Sequence, residues 1–120
     1  MSMAAVDALK EILDSLSGEG VTIAGVISRN GIPIVCNLPS PSQVDTFSTL
    51  SATILGAGEV IFSGLAMEKP DAIILSSPDG NMVCTPLSPK ALLVLFGKKQ
   101  PQELVDIAAQ TKKRIKEVLS

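Results

Sequence analysis

The chain has no histidine, no tryptophan and no tyrosine, and its aromatic content is three phenylalanines. Without histidine there can be no Ser-His-Asp arrangement, and the usual general base and commonest metal ligand are missing. Charge is sparse and nearly balanced: 10 Lys and Arg against 12 Asp and Glu leave a net −2. That argues against a nucleic-acid binder relying on a broad basic surface. Cysteine is limited to Cys36 and Cys84, separate and in no metal-binding spacing, which read as small buried thiols in a reducing cytosol. No apolar run approaches the roughly 18 residues of a membrane span. Asp7, Lys10 and Glu11 stand where a signal peptide would need a basic start and an unbroken apolar stretch. The expectation is a cytoplasmic protein without membrane insertion.

What is present is aliphatic. Of 120 residues 46% are hydrophobic, enough for one domain over residues 1–120 that buries roughly two-thirds of its unfolded surface. Val6, Leu9, Leu13 and Leu16 recur three or four apart, with Ile12 widening the stripe, and predict a helix over residues 3–16. The Ser17-Gly18 pair and Gly20 end it. Val21–Ser28 is β-branched and reads as a strand. Asn30-Gly31 is a strong hairpin signal, and residues 32–37 form the return strand, placed at a sheet edge by Pro33. Further strands are expected at residues 72–77, 81–85 and 91–96, joined by turns at Pro78-Asp79-Gly80 and Ser88-Pro89-Lys90. The run at 91–96 is apolar at consecutive positions, which predicts a central strand covered on both faces. A closing helix begins at about Pro101, with Leu104, Ala108, Thr111, Ile115 and Val118 as its inward stripe. Its acidic residues come early and its basic ones late, complementing the helix dipole.

The segment from Asp45 to Leu65 is the unusual one. It is long enough for several helical turns yet rich in Ser, Thr, Ala and Gly, and Gly56 and Gly58 should each cost about 1 kcal/mol relative to Ala. Small side chains let another backbone come close, so this helix is expected to pack on two sides. On a helical wheel Phe47, Leu50, Ile54, Ile61 and Leu65 form a stripe assigned to the protein's own sheet. Ser51, Leu55, Gly58 and Phe62 form a second stripe assigned to a partner, wider than one buried face needs. Ser48, Ala52, Gly56, Glu59 and Ser63 cover the rest. The element order is α-β-β-α-β-β-β-α: an α+β three-layer sandwich with a five-stranded antiparallel sheet.

Catalytic constellations are not found. Gly18-Glu19-Gly20 lacks the Lys-Ser/Thr that a phosphate loop needs, and Gly56-Ala57-Gly58 lies inside a helix. Asp45, Glu59 and Asp71 read as capping, solvating or pairing groups. Arg29, at an exposed hairpin tip, is assigned no catalytic role, although an arginine can stabilise phosphoryl transfer in trans. Lys98, Lys99, Lys112, Lys113, Arg114 and Lys116 could meet an acidic partner or lipid, but dipole compensation at a helix end accounts for most of them. The reading is no enzyme, no cofactor and no metal.

Residues 25–34 (GVISRNGIPI), 49–64, Asp79-Gly80 and 91–97, in this order, resemble the roadblock family of dynein light chains and GTPase regulators. The profilin and longin folds share the sandwich but differ in the order or number of elements. The resemblance implies a homodimer, or a heterodimer with a related roadblock chain, with central helices side by side and edge strands joined. Ser51, Ala52, Leu55, Gly56, Gly58, Glu59, Phe62 and Ile74 are the expected dimer or partner interface. The other arrangement open to Leu55 and Phe62 is packing beneath the chain's own first or last helix. Two functions follow: binding and regulating or scaffolding a small Ras-like GTPase, or acting as a light-chain-type adaptor blind to nucleotide. A small-molecule sensor or thiol enzyme on the same sandwich ranks third.

Overall fold

A serine sets the first helix. In the computed structural model, which describes residues 2–119, the Ser2 hydroxyl accepts a hydrogen bond from the Ala5 N–H at 3.1 Å and opens α1 (Met3–Ser15). Leu9, Ile12 and Leu13 are its buried stripe. A 3-10 turn (Leu16–Glu19) follows, and the chain leaves through Gly20 in the left-handed conformation. β1 (Val21–Ser28) and β2 (Pro33–Cys36) form the expected hairpin. Gly31 in its turn has φ +89°, and a Cβ there would also come within 3.1 Å of the Thr49 Cα. β2 is shorter than the strand expected over residues 32–37.

The central helix α2 (Pro41–Gly64) starts four residues before Asp45. Pro41 supplies the start, since its fixed φ suits the first helical position and its missing N–H has no intrahelical acceptor. β3 (Ile73–Ser77), β4 (Gly80–Ser88) and β5 (Ala91–Gly97) follow, and α3 (Pro101–Leu119) closes the chain where the sequence predicts it. β4 runs three residues past the expected Thr85. Its pairing with β3 ends at Cys84, so one side is open at Pro86, and a register shift between Pro86 and Ser88 absorbs the proline.

All strand pairs are antiparallel, in the order β2-β1-β5-β4-β3. Alternation along the central β5 divides the core. Leu93 and Leu95 face the α1/α3 layer with Leu9, Leu13, Leu104 and Ile115, whereas Leu92 and Val94 face α2 with Ile27, Leu55 and Cys84. A strand apolar at every position is what such a two-sided burial requires. The α-β-β-α-β-β-β-α three-layer sandwich is therefore the observed architecture.

Candidate functional site

α2 carries its bulk on the outside. Its fully buried residues are Ser48, Ser51 and Leu55, with Leu55 set against Ile27, Leu92 and Val94 of the chain's own sheet. Gly58 lies on the same side, where a Cβ would fall 2.3 Å from the Ile73 Cδ1. A side chain there would make Ile73 change rotamer, so the glycine lets the helix lie directly on the edge-strand side chain. Leu50 (54% exposed), Val60 (72%), Ile61 (59%) and Leu65 (61%) instead face solvent.

The two stripes read from the sequence are thus exchanged. Ser51, Leu55 and Gly58, expected at a partner surface, are the helix's contacts with its own subunit. Leu50, Ile61 and Leu65, expected against the sheet, are the outward ones; Ile54 of the same stripe is half-buried, and Phe47 does pack inward. A wheel ranks stripes by bulk, whereas a helix crossing a sheet this closely is seated by its small residues. Ala52 is half-buried against the inner cluster, and Gly56 is flanked by open space. Phe62 remains 38% exposed near the helix end. That end is a Schellman turn: the Met67 N–H donates to the Phe62 carbonyl and the Ala66 N–H to that of Ser63. Ala66, not a glycine, holds the left-handed position at φ 56°.

Beside this face runs β3, a sheet edge with no charged residue. Ile73 and Leu75 are in register with Cys84 and Met82, both of the α2-side cluster, so Leu75 (43% exposed) shares the α2 side. Ile74, also 43% exposed, is in register with Val83 and faces the α1/α3 side. Ile74 and Phe62 consequently lie on opposite faces of the sheet.

Glu59 is committed within the subunit. Arg29 Nη2 donates to Glu59 Oε1, tying the β1–β2 tip to the C-terminal turns of α2, and the two side chains are 27% and 12% exposed. Arg29 is therefore a half-buried strut, not a solvated hairpin tip. The basic residues do not form one patch either. Lys98 and Lys99 precede α3 while residues 112–116 lie in its last turns, roughly 20 Å along the axis. Lys99 is 3.8 Å from Glu103, Lys112 Nζ donates to Thr85 Oγ1 at 3.3 Å, and Arg114 donates to the Ser15 hydroxyl at 3.1 Å.

The cysteines share one row across the sheet, Cys36–Gly25–Val94–Cys84. Three strand spacings separate them by about 14 Å, twice the reach of a disulfide. Burial pushes the Cys84 thiol up to about 11, and a hydrogen bond with Ser51 partly offsets this. A thiol held protonated in this way is a poor nucleophile. On the α3 side a cleft of about 120 Å³, lined by Ala72, Val83, Val105 and Ala108, is well below the size of ordinary ligand pockets.

The model of the Roadblock/LC7 domain matches residues 9–96. The chain belongs to that family. A sequence comparison with curated proteins finds no match. Among solved structures, MglB with a tetrameric arrangement has a TM-score of 0.85 at 18% identity, covering 98% of this chain and 92% of the other. The gliding protein MglB from Thermus thermophilus gives 0.83 at 18% identity, covering 98% and 93%. Schizosaccharomyces pombe profilin gives 0.63 at 16% identity, covering 92% and 98%. At these identities the likeness is one of fold. In this roadblock domain the exposed outward face of α2 is the stripe that the sequence reading assigned to the sheet. Spacing gave no signal, because Leu50, Ile54, Ala57, Ile61 and Ser51, Leu55, Gly58, Phe62 both repeat as four, three, four. Among the described residues no helix is long and apolar enough to cross a membrane.

Proposed function

We propose that this roadblock domain is a non-catalytic, self-associating module that binds a small Ras-like GTPase and regulates or scaffolds it. The observation carrying the proposal is the outward apolar face of α2 beside the uncharged open edge of β3. Large apolar side chains exposed together on one helix face favour an interaction site, and an open edge strand is a template for pairing. The tetrameric arrangement of the similar MglB supports self-association. The interface residues are revised accordingly: Leu50, Ala57, Ile61 and Leu65 replace Ser51, Leu55 and Gly58, with Phe62 and Leu75 alongside. The GTPase docks on the paired helices or on the sheet rim beside them. The domain acts by biasing the partner's switch loops or by placing it in a complex.

The test is binding of the purified protein to small Ras-like GTPases of the same cell, loaded with GDP or a GTP analogue, with turnover followed in the same samples. Preference for one nucleotide state is the expected result, and faster turnover would narrow it to an activator. Equal binding to both states would replace regulation by the light-chain-type adaptor role. Absence of binding to any of them would overturn the GTPase reading.

A further inference from the structure

A helix whose large apolar residues point away from its own core is poorly held by that core. We infer that α2 docks firmly on its sheet only when a second copy of the chain covers its outer face, so that ordering of α2 and self-association are one coupled event. The inference rests on the self-association reading above and adds a conformational consequence for the lone subunit.

Three observations carry it. The inner face of α2 is weak: two of its three fully buried residues are serines, and the Ser48 hydroxyl, wholly inaccessible, has no hydrogen-bond partner. A buried hydroxyl without a partner opposes the burial that seats it. Leu55 is its one fully buried aliphatic residue, with Phe47 and Ala52 half-buried beside it and the Arg29–Glu59 ion pair as the remaining tie. The helix is also intrinsically poor, since Gly56, Gly58 and many hydroxyl-bearing or β-branched residues lower its propensity. Asp45 and Glu59 are its only charged residues, so no Glu–Lys pair along the helix supports it.

The outer face, by contrast, is suited to a like face. Leu50 and Ile61 are exposed one turn either side of the half-buried Ile54 and the exposed Ala57, an apolar row long enough to form a helix–helix seam, and the small Ala57 near its middle allows close approach. Neither the seam nor β3 carries a charge, so two copies meet without like-charge repulsion. The apolar burial that the inner face lacks is supplied there.

The experiment is hydrogen–deuterium exchange read by mass spectrometry, on wild-type protein over a dilution series and on Ile61→Lys. Sedimentation velocity of the same samples reports the oligomeric state. On dissociation, amides of α2 should exchange faster by on the order of tenfold or more, while those of β1, β5 and α3 change little. A monomer whose α2 stays as protected as in the assembled protein overturns the coupling and leaves self-association standing. Wild-type protein that remains monomeric at high concentration overturns self-association, and the second copy as the cover, whatever α2 does. Where dilution does not separate the copies, Ile61→Lys supplies the monomer. If β5 and α3 lose protection together with α2, the inference also fails, because the coupling would belong to the whole domain.

Discussion

α2 and α3 cover opposite faces of one sheet, and they do so by opposite rules. α3 is an ordinary amphipathic helix: Leu104, Ala108, Thr111 and Ile115 point in, charges point out, and the Thr111 hydroxyl satisfies itself on the Ile107 carbonyl at 2.7 Å. α2 turns serines and a glycine toward the sheet and leucine, valine and isoleucine toward solvent. The same sheet thus takes one helix by bulk and the other by closeness. An α-helix has no fixed inside; its buried face is the one its neighbours can accommodate. Where the bulky face is left over, it stays exposed, and it is the face proposed above for self-association.

The largest test of this contrast removes one anchor from each helix. Leu104→Ala and Leu55→Ala each delete a fully buried side chain and should cost about 2–5 kcal/mol in urea unfolding. A Leu55→Ala cost far below that of Leu104→Ala would show that α2's inner face does not depend on its one fully buried large residue. Next comes Cys84, under α2. Its folded pKa of about 11 lies above the ordinary 9.0. Below pH 9 the full stabilisation is present; as pH rises toward 11 the unfolded chain loses the proton first and stability falls. The loss is about 2–3 kcal/mol, by the linkage between pKa shift and stability. Unfolding of Cys84→Ala over the same pH window should lack that component, and parallel wild-type and variant curves would refute it.

Ser48→Ala tests the unpartnered hydroxyl. Removing it should raise stability by about 1 kcal/mol, seen as a higher urea midpoint, whereas Thr111→Ala on α3 should lower it. If both substitutions destabilise alike, the two helices are not seated differently at these positions. The smallest effect is expected at the end of α2. Ala66→Gly relieves a left-handed alanine and should stabilise by about 0.5–1 kcal/mol, read from the thermal midpoint; no gain would mean that Ala66 bears little strain.

Much of this architecture is legible in the residues. Val21–Ser28 and Pro101–Leu119 lie where β-branching and a three-to-four periodicity put them, and Asn30-Gly31 places the hairpin. Pro33 marks β2 as an edge, and the unbroken apolar run of β5 marks the centre. The site was less legible. Both α2 stripes satisfy helical periodicity, and nothing local says which one meets the sheet. Arg29 and Glu59 are 30 positions apart, so their pairing has no sequence signature.

The sequence by itself determined the order of elements, the division of the core into two sides and the absence of a histidine-based catalytic centre, because propensity, alternation and composition are local properties. Only the tertiary structure decided which face of α2 is inside and that Ile74 and Phe62 lie on opposite sides of the sheet. It also decided that Arg29 is a strut. These depend on how closely distant elements approach, at Gly58 against the Ile73 side chain and at Gly31 against the Thr49 backbone, and contact distance is set by the whole assembly of elements rather than by any one of them.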